Sequence, residues 1–519
     1  MVRKTNPRRE GDTPGEPPNR NRRTVLQTVG TGFVAATTLP SAKADVSTMD
    51  TNAESNSWRP EYHFAPSTGW MNDPNGLIYH DGVYHLFYQA GERRRRWDHA
   101  TSSDLVTWTE RGTKIPDTDS IQAFSGGAVV DSRNTAGFGT DALVALYTGH
   151  HDDGTEDQRL AYSTDGGETL RKYENNPVIE SDTGEFRDPN PFWYEPDESW
   201  RLVVSRVEAT DDRPAGIEIY RSPNLLDWTY ESTYVDEAGA GWECPSLFER
   251  PVEGADETKW VLPVSPIEHR SVEYHIGHFD GTAFVGEEVH SADHGYDFYA
   301  TQQWGNEPAD RDLLLTWMNN WEYAMEGPDP GWRGAMTVPR TLSLEADDNG
   351  LAVIQRPAAE LACARREPVA ELHSEPITPG RDPLDGTELA GRTLEIETTI
   401  TPQSASTVGL AVRTGPEQES VISYDPTDGT LRFDRSNAGE FFGSNDEDRT
   451  VTSVDLPATD ALDLRVLIDR CSVEIFAANG RRTMTNLVYP DRESTGVSLF
   501  AEDGVARLEE LVAYTLSAG

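Results

Sequence analysis

The chain has 519 residues, with 89 acidic against 45 basic side chains and a formal net charge of −44. Because single hydrophobic cores stop growing at roughly 250–300 residues, this length predicts two domains. A surface this acidic repels phosphates, which excludes nucleic acid and anionic membranes as partners, and its self-repulsion needs salt for screening, so we expect a salt-rich habitat.

The first 44 residues predict an export signal rather than folded structure. Arg22 and Arg23 open a twin-arginine motif, residues 29–39 are small and mildly apolar, and residues 42–44 have the small-x-small form of a cleavage site. We therefore expect secretion by twin-arginine export, with a flexible linker over residues 45–56. A disordered basic tail is the alternative, and the apolar stretch is too short to span a bilayer.

Residues 57–350 contain short runs of β-branched and aromatic residues closed by turn residues, which predict strands. The Ser-Asp-Leu-Val-Thr-Trp sequence at 103–108 returns in altered form at 163–173 and at 222–228, a spacing of about 55 to 65 residues. Several strands per repeat at this period indicate a β-propeller, and the segment has room for about five blades. A plain β-sandwich with recurring turns is the alternative.

Beyond about residue 366 the predicted strands are longer and alternate more clearly, as at 393–400 and 464–469. This pattern is typical of a β-sandwich, which we place at 368–519 after a linker at 351–367 that contains a short helix. The expected fold is therefore all-β, a five-bladed β-propeller followed by a C-terminal β-sandwich. Few carboxylates of the second domain stand in a catalytic context, so we assign it a structural or sugar-gripping role.

Two motifs carry carboxylates suited to opposite tasks. Residues 70–76, Trp-Met-Asn-Asp-Pro-Asn-Gly, place Asp73 before a tight turn at a strand end, with Trp70 and Asn72 beside it to contact a sugar. Residues 242–245, Trp-Glu-Cys-Pro, give Glu243 apolar neighbours, where desolvation favours the protonated acid. An ionised aspartate and a protonated glutamate together can cleave a glycosidic bond. Taken singly, the first motif favours a structural Asx-turn and the second is weak evidence.

Asp188 stands in a third motif, between Arg187 and Pro189. The adjacent guanidinium is expected to keep Asp188 ionised, so that it accepts hydrogen bonds from sugar hydroxyls and stabilises the transition state. A buried ion pair between two blades is the alternative.

The cysteines and the paired histidines are explained without catalysis or metal binding. The three cysteines, Cys244, Cys363 and Cys471, are too few for a disulfide framework, so we expect free thiols. A nucleophilic Cys244 has no histidine near it in sequence. The His150–His151 pair has poor metal-ligand spacing and predicts a polar turn.

The three motifs, in this order and on a five-blade pattern with a trailing sandwich, resemble glycoside hydrolase family 32, the invertases, inulinases and levanases. The resemblance covers nearly all the mature chain and extends to residues 124–126, 297–300, 332–336 and 472–476. It implies a retaining β-fructofuranosidase that acts outside the cell on sucrose or a fructan, inulin or levan, without metal or organic cofactor.

The resemblance also implies roles for individual residues: Asp73 as nucleophile, Glu243 as acid/base and Asp188 as transition-state stabiliser. The two working carboxylates of a retaining enzyme stand about 5–5.5 Å apart. The positions that match the family's fructose pocket are Asn72, Gln89, Trp97, Phe124, Ser125, Arg187 and Tyr299.

One stretch departs from the family pattern. Where family members have a longer Asn-Pro loop ending in Trp-Gly-His-Ala, residues 90–92 here run directly into Arg93, Arg94, Arg95 and Arg96, followed by Trp97. This departure puts the pocket rim and the role of Trp97 in question. We expect the four arginines to form a solvated, salt-paired loop, with contact to a partner as the alternative.

Three rival functions stay open on sequence alone. A fructosyltransferase with the same site would make longer oligomers from sucrose, and an inverting five-bladed glycosidase of arabinose polymers would invert the anomeric centre. A non-catalytic fructan-binding surface protein would bind sugar without turnover. The absence of obvious long insertions around residues 70–76 favours attack on chain ends.

Overall fold

The computed structural model describes residues 57–518 except 182–183, 237–240, 269–270, 310, 348–349, 440 and 442–448. The predicted export signal and the linker after it lie outside the described residues. The described chain is all-β, with strands joined by turns and by short 3-10 helices at Glu195–Asp197, Ala359–Ala364 and Ala478–Gly480.

Residues 69–234 form three sheets, each built from four strands that follow one another in the chain and pair antiparallel. The strands are β1 (Gly69–His80), β2 (Val83–Ala90), β3 (Arg96–Ser102), β4 (Thr109–Ile115), β5 (Ile121–Asp131), β6 (Ala142–His151), β7 (Glu156–Ser163), β8 (Arg171–Lys172), β9 (Phe186–Tyr194), β10 (Ser199–Arg206), β11 (Gly216–Ser222) and β12 (Thr229–Tyr234). Neighbouring sheets bury their faces together, since Leu146, Phe186 and Leu202 share one apolar cluster.

The next strands join in a ten-stranded sheet. They are β13 (Trp242–Glu243), β14 (Phe248–Glu253), β15 (Thr258–Pro266), β16 (Glu273–Phe279), β17 (Phe284–Ser291), β18 (Tyr299–Gln303), β19 (Asp312–Met318), β20 (Trp332–Arg333), β21 (Ala335–Met336), β22 (Arg340–Asp347) and β23 (Gly350–Pro357), of which β20 belongs to the first sheet instead. Inside the ten-stranded sheet, a parallel pair of β14 with β22 connects two antiparallel runs.

The sheets close into a ring, which makes this part of the chain a β-propeller. In order around the ring, β1 contacts β5, β5 contacts β9, β10 contacts β13, β15 contacts β18, and β18 contacts β1 again. The parallel pairing of β20 with β1 strengthens the closure, as does the bond from the Gly305 N–H to the Leu77 carbonyl. The innermost strands of the ring therefore line a central channel.

Residues 365–516 form a β-sandwich of a six-stranded and a five-stranded sheet. Side chains from both sheets, such as Ile396, Val466, Ile422 and Phe433, share one buried core. The strands are β24 (Arg365–Ile377), β25 (Leu394–Thr401), β26 (Thr407–Thr414), β27 (Glu419–Asp425), β28 (Thr430–Asn437), β29 (Val451–Asp455), β30 (Leu462–Asp469), β31 (Ser472–Ala477), β32 (Arg482–Leu487), β33 (Gly496–Glu502) and β34 (Ala506–Leu516).

The predicted linker at 351–367 was too long. β23 pairs with β22 along its whole length, so the propeller sheets continue to Pro357, and β24 of the sandwich already begins at Arg365. The predicted linking helix is the 3-10 helix Ala359–Ala364 between them. The sequence around 350–357 alternates too weakly to mark a strand, and it is the pairing with β22 that makes it one.

Buried charged residues join the propeller to the sandwich. His63 contacts two carboxylates of the sandwich, Asp469 at 2.8 Å and Glu474 at 2.7 Å. Arg340 donates to Glu474 and, at 3.0 Å, to Asp293. We call His63, Arg340, Asp469 and Glu474 the junction cluster.

Candidate active site

The candidate nucleophile Asp73 is the fifth residue of β1, which runs on to His80 where a tight turn was predicted at residues 74–76. Pairing of β1 with β2 slips in register between Met71 and Pro74, a bulge that fits a proline without an N–H to donate. Asp73 is 8% exposed, and its Oδ2 accepts a 2.6 Å hydrogen bond from the Ser125 hydroxyl. No donor among the described residues reaches Oδ1. One oxygen is therefore fixed and the other is left for a reacting partner.

A directional chain of hydrogen bonds ends on this carboxylate. The Trp70 indole N–H donates to Asn72 at 2.7 Å, and the Asn72 amide donates to Gln89 at 2.8 Å. The Gln89 amide donates to the Ser125 hydroxyl at 3.0 Å, which in turn donates to Asp73. Each donor is also an acceptor from the group before it, so the bonds reinforce one another. We call this series the relay.

Glu243 lies on β13 and is held by donors from two other strands. Its Oε1 accepts from Arg187 at 2.8 Å, and its Oε2 accepts from the Tyr299 hydroxyl at 2.6 Å. The apolar surroundings expected from its sequence neighbours were wrong, because the contacts come from β9 and β18 instead. The Glu243 side chain is 18% exposed, which leaves a route for protons to and from water.

Asp188 is held in a strained backbone conformation close to Glu243. Its φ is 65°, in the left-handed region, and its backbone N–H donates to Thr148 at 2.9 Å. Its Oδ2 accepts from the backbone N–H of Cys244 at 2.8 Å, which ties it to the residue after Glu243.

The electrostatics of Asp188 differ from the sequence prediction. Burial, followed by the charges of Glu243 and Asp73, raises the pKa of Asp188 well above its usual range, and the opposing effect of Arg187 is smaller. The expectation that Arg187 keeps Asp188 ionised was therefore wrong. Adjacent residues on a strand point to opposite faces, and the Arg187 guanidinium is bonded to Glu243, Glu156 and Glu185.

Asp73 belongs to the same electrostatic site. Burial raises the pKa of Asp73, the hydrogen bond from Ser125 and the nearby Asn72 amide oppose that effect, and the charge of Glu243 raises the pKa further. The structure thus brings Asp73, Asp188 and Glu243 within electrostatic reach of one another, from three different sheets. We call them the site carboxylates.

Family comparison agrees with this geometry. Residues 63–357 match the model of the glycosyl hydrolases family 32 N-terminal domain, and residues 363–515 match that of the family 32 C terminal. The chain belongs to glycosyl hydrolase family 32.

Relatives in the family include a levanase of Bacillus subtilis, 38% identical over 88% of this chain and 70% of its own length. An extracellular exo-inulinase of Meyerozyma guilliermondii is 35% identical over 84% of this chain and 90% of its own. The crystal structure of exo-inulinase from Aspergillus awamori superposes with a TM-score of 0.81 at 29% identity, covering 89% of this chain and 99% of that one.

The remaining residues predicted for the fructose pocket fall into two groups. Ser125, Arg187 and Tyr299 donate directly to the site carboxylates, and Asn72 and Gln89 are connected to Asp73 through the relay. Phe124 is half-buried and stacks on His150, with ring centroids 4.4 Å apart, while Trp97 is fully buried and donates from its indole to the Phe124 carbonyl at 2.8 Å. Trp97 therefore supports the backbone at Phe124, and its contact with a sugar stays a prediction.

Two residues near the family 32 site, Arg95 and Trp321, were not among the residues predicted for the pocket. The Trp70 ring, expected to stack on a sugar, is only 4% exposed because Trp321 packs on it at 5.8 Å and Arg95 at 5.2 Å. The arginine run was the signal for Arg95. Its neighbours behave as expected, since Arg94 pairs with Asp117 and Arg96 with Asp98.

The paired histidines are the last two residues of β6, so the polar turn predicted at them was wrong in position and begins one residue later, at Asp152. His150 contacts Glu156 at 3.1 Å, and His151 contacts Asp157 at 2.9 Å. Glu156 is a further missed residue, because it also pairs with Arg187 behind Glu243. In the part of the chain that the structure describes, no three or more His, Cys, Asp or Glu side chains are grouped to hold a metal, and no helix has the length and apolar character to cross a membrane.

Proposed function

We propose that this family 32 glycoside hydrolase is a secreted, retaining β-fructofuranosidase that releases terminal fructose from sucrose or a fructan. Asp73 is the nucleophile, Glu243 the acid/base and Asp188 the transition-state stabiliser. The observation that carries the proposal is the relay, which fixes one oxygen of Asp73 and leaves Oδ1 without a donor among the described residues. The names of the relatives, levanase and extracellular exo-inulinase, support the substrate class and secretion.

The first chemical step breaks the glycosidic bond. Asp73 Oδ1 attacks the anomeric carbon of the terminal fructose while protonated Glu243 donates its proton to the leaving oxygen. The products of this step are a fructosyl ester on Asp73, the leaving-group sugar with a free hydroxyl and an ionised Glu243.

The second step returns the enzyme to its starting state. Glu243 takes a proton from water, the resulting oxygen attacks the same anomeric carbon, and the bond to Asp73 breaks. The Arg187 guanidinium and the Tyr299 hydroxyl stabilise the ionised form of Glu243 between the steps. Asp188 accepts hydrogen bonds from fructose hydroxyls, and these bonds strengthen as positive charge develops on the ring.

Fructose release from sucrose, inulin and levan tests the proposal, with Glu243→Gln as the control for chemistry. We expect release by the wild type and its near-complete loss in the variant. Longer oligomers at high sucrose would favour a fructosyltransferase, and binding without turnover would favour a binding protein. NMR of the first-formed anomer decides between retention and the inversion expected of an arabinan-type enzyme.

We also propose the finer architecture. The ten-stranded sheet divides at the parallel β14–β22 pair into two antiparallel runs, which with the three preceding sheets make a five-bladed propeller as the catalytic domain. The domain begins near residue 57, and a short connection before β24 leads to the sandwich. Limited proteolysis between Pro357 and Arg365 would release two stable fragments if these bounds are right.

The acidic composition supports adaptation to salt, and Arg22-Arg23 supports twin-arginine export. We expect activity and the thermal unfolding temperature to rise with NaCl concentration from millimolar to molar. Export of the full chain should stop when both arginines are replaced by lysine. A protein as active in dilute buffer as in molar salt would remove the case for a salt-rich habitat.

A further inference from the structure

Arg95 differs from the other arginines of its run in where its side chain goes. The guanidinium carbon lies 5.2 Å from the Trp70 ring centroid and 5.9 Å from that of Trp321. Its Nη1 donates to the Gly91 carbonyl at 2.5 Å. The half-buried side chain is thus held in one position by two indoles and one carbonyl.

The backbone of Arg95 is tied to the strand that carries Ser125. Its N–H donates to the Gln122 side chain at 2.9 Å, and its carbonyl accepts from the Ala123 N–H at 3.0 Å. Arg95 therefore connects two parts of the site. Its backbone is hydrogen-bonded to β5, and its side chain packs on Trp70, where the relay begins.

The Arg95 charge reaches Asp73. Burial lowers the pKa of Arg95, and the Asp73 carboxylate opposes that effect, while the Arg95 cation in turn acts to lower the pKa of Asp73. Among the described residues, no acceptor pairs with Nε or Nη2 of Arg95. A cation beside the nucleophile thus keeps N–H groups available for a ligand.

The position of Arg95 relative to the site carboxylates indicates which sugar it faces. Asp73 and Asp188 are 8% and 3% exposed, whereas Arg95 and Trp321 are half-buried and therefore closer to solvent. If the terminal fructose reaches Asp73, the next sugar lies at the level of Arg95 and Trp321. A planar guanidinium with several donors suits adjacent hydroxyls of such a sugar.

We propose that Arg95 binds the leaving-group sugar, donating hydrogen bonds to its hydroxyls from a guanidinium fixed against Trp70 and Trp321. The inference rests on the proposed fructosidase function and adds a specificity residue to it. It places the recognition of the second sugar in the loop where this chain departs from the family pattern.

The test compares substrates that differ only in the leaving group. Arg95→Met and Arg95→Lys are assayed on sucrose, levan and methyl β-fructofuranoside, whose leaving group is methanol. Arg94→Met is the matched control, because Arg94 pairs with Asp117 and Asp152 on the surface. We expect kcat/KM of Arg95→Met to fall about 10- to 100-fold on sucrose and levan, as for loss of a charged hydrogen bond, and about twofold or less on the methyl fructoside.

Equal losses on all three substrates, with an upward shift of the acidic limb of the pH profile, would mean that Arg95 acts through Asp73 alone and would overturn the proposal. Unchanged rates on sucrose and levan would overturn it as well. Partial recovery in Arg95→Lys on the sugar leaving groups supports it, because a cation remains without the planar fork.

A binding measurement separates this proposal from the proposed function. Calorimetric titration of sucrose into Glu243→Gln, with and without Arg95→Met, needs no turnover. A loss of affinity of tenfold or more in the double variant supports Arg95 as a sugar ligand, and unchanged affinity overturns it. Wild-type protein that releases fructose from none of the substrates counts against the proposed function instead.

Discussion

The junction cluster and two of the site carboxylates, Asp73 and Asp188, are deeply buried, but their charges are balanced in opposite ways. At the junction, burial alone would raise the pKa of Glu474, yet the Arg340 charge and the His63 hydrogen bond lower it to about 2. In the site, burial raises the pKa of Asp188 and neighbouring carboxylates raise it further. Burial is common to both, so the partners decide the sign of the shift.

This difference separates a structural from a functional use of buried acid. Each junction carboxylate faces a cation and has its lone pairs occupied, so the charges hold the propeller and the sandwich together. Asp73 and Asp188 have few partners and repel one another, an arrangement that costs stability and is typical of functional sites. Substitutions in the two regions should therefore have opposite effects on stability and activity.

The largest expected effect is on activity in the site. Asp73→Asn removes the proposed nucleophile, and we expect kcat to fall by roughly 10⁴-fold or more, since no ester with fructose can form. Fructose release measured at substrate saturation checks this. Asp227→Asn, in an exposed turn after β11, is the matched control and should keep full activity. Activity within tenfold of wild type in Asp73→Asn would remove the nucleophile assignment.

At the junction the largest effect is on stability. Glu474→Gln leaves His63 and Arg340 without their shared carboxylate, and breaking a buried ion pair costs about 3–5 kcal/mol. Denaturant unfolding in high salt measures the difference. The half-exposed pair of Glu345 with Arg481 provides the control, because Glu345→Gln should cost less than about 1 kcal/mol.

The contrast between the two regions also marks what could be predicted from the sequence. Strand patterns and the repeat predicted the all-β propeller and sandwich, because strand periodicity and turn residues are local signals. The tight turn predicted at residues 74–76 was wrong, because β1 continues from Gly69 to His80 and takes up the proline and glycine as irregularities in its pairing with β2. The strand at residues 350–357 was not predicted, because its residues alternate only weakly and it is the pairing with β22 that makes them a strand.

The partners of the buried charged residues could not be predicted from local sequence patterns. Glu243 takes its donors from Arg187 and Tyr299, each 56 positions away in the chain, and His63 meets carboxylates more than 400 positions away. The residues next to Glu243 and Asp188 in the sequence therefore gave a wrong prediction of their electrostatic surroundings. The run of four arginines marked an unusual rim but did not reveal that Arg95 turns inward against Trp70.

The pH dependence of stability tests whether His63 is a cation in the junction cluster. Burial lowers the pKa of His63, but hydrogen bonds to Asp469 and Glu474 raise it to about 9, above the 6.5 of the unfolded chain. The stabilisation is thus complete below pH 6.5 and is lost as pH rises through about 9. At pH 6, His63→Gln should unfold at a lower temperature than the wild type. Between pH 6.5 and 9, its unfolding temperature should fall less than that of the wild type. Parallel pH curves for the two proteins would contradict a charged His63.

The smallest expected effect is a gain of stability in the site. Because the folded pKa of Asp188 lies above the unfolded value of 3.8, its ionisation opposes folding as pH rises above 3.8. Asp188→Asn keeps the acceptor for the Cys244 N–H and removes the charge, so the unfolding temperature at pH 7 should rise by about one to a few degrees while activity falls. Calorimetry at pH 7 and pH 4 checks the sign, since the gain should shrink at the lower pH. A loss of stability at pH 7 would mean that Asp188, like Glu474, is held for structure, and the contrast between the two regions would fail at this residue.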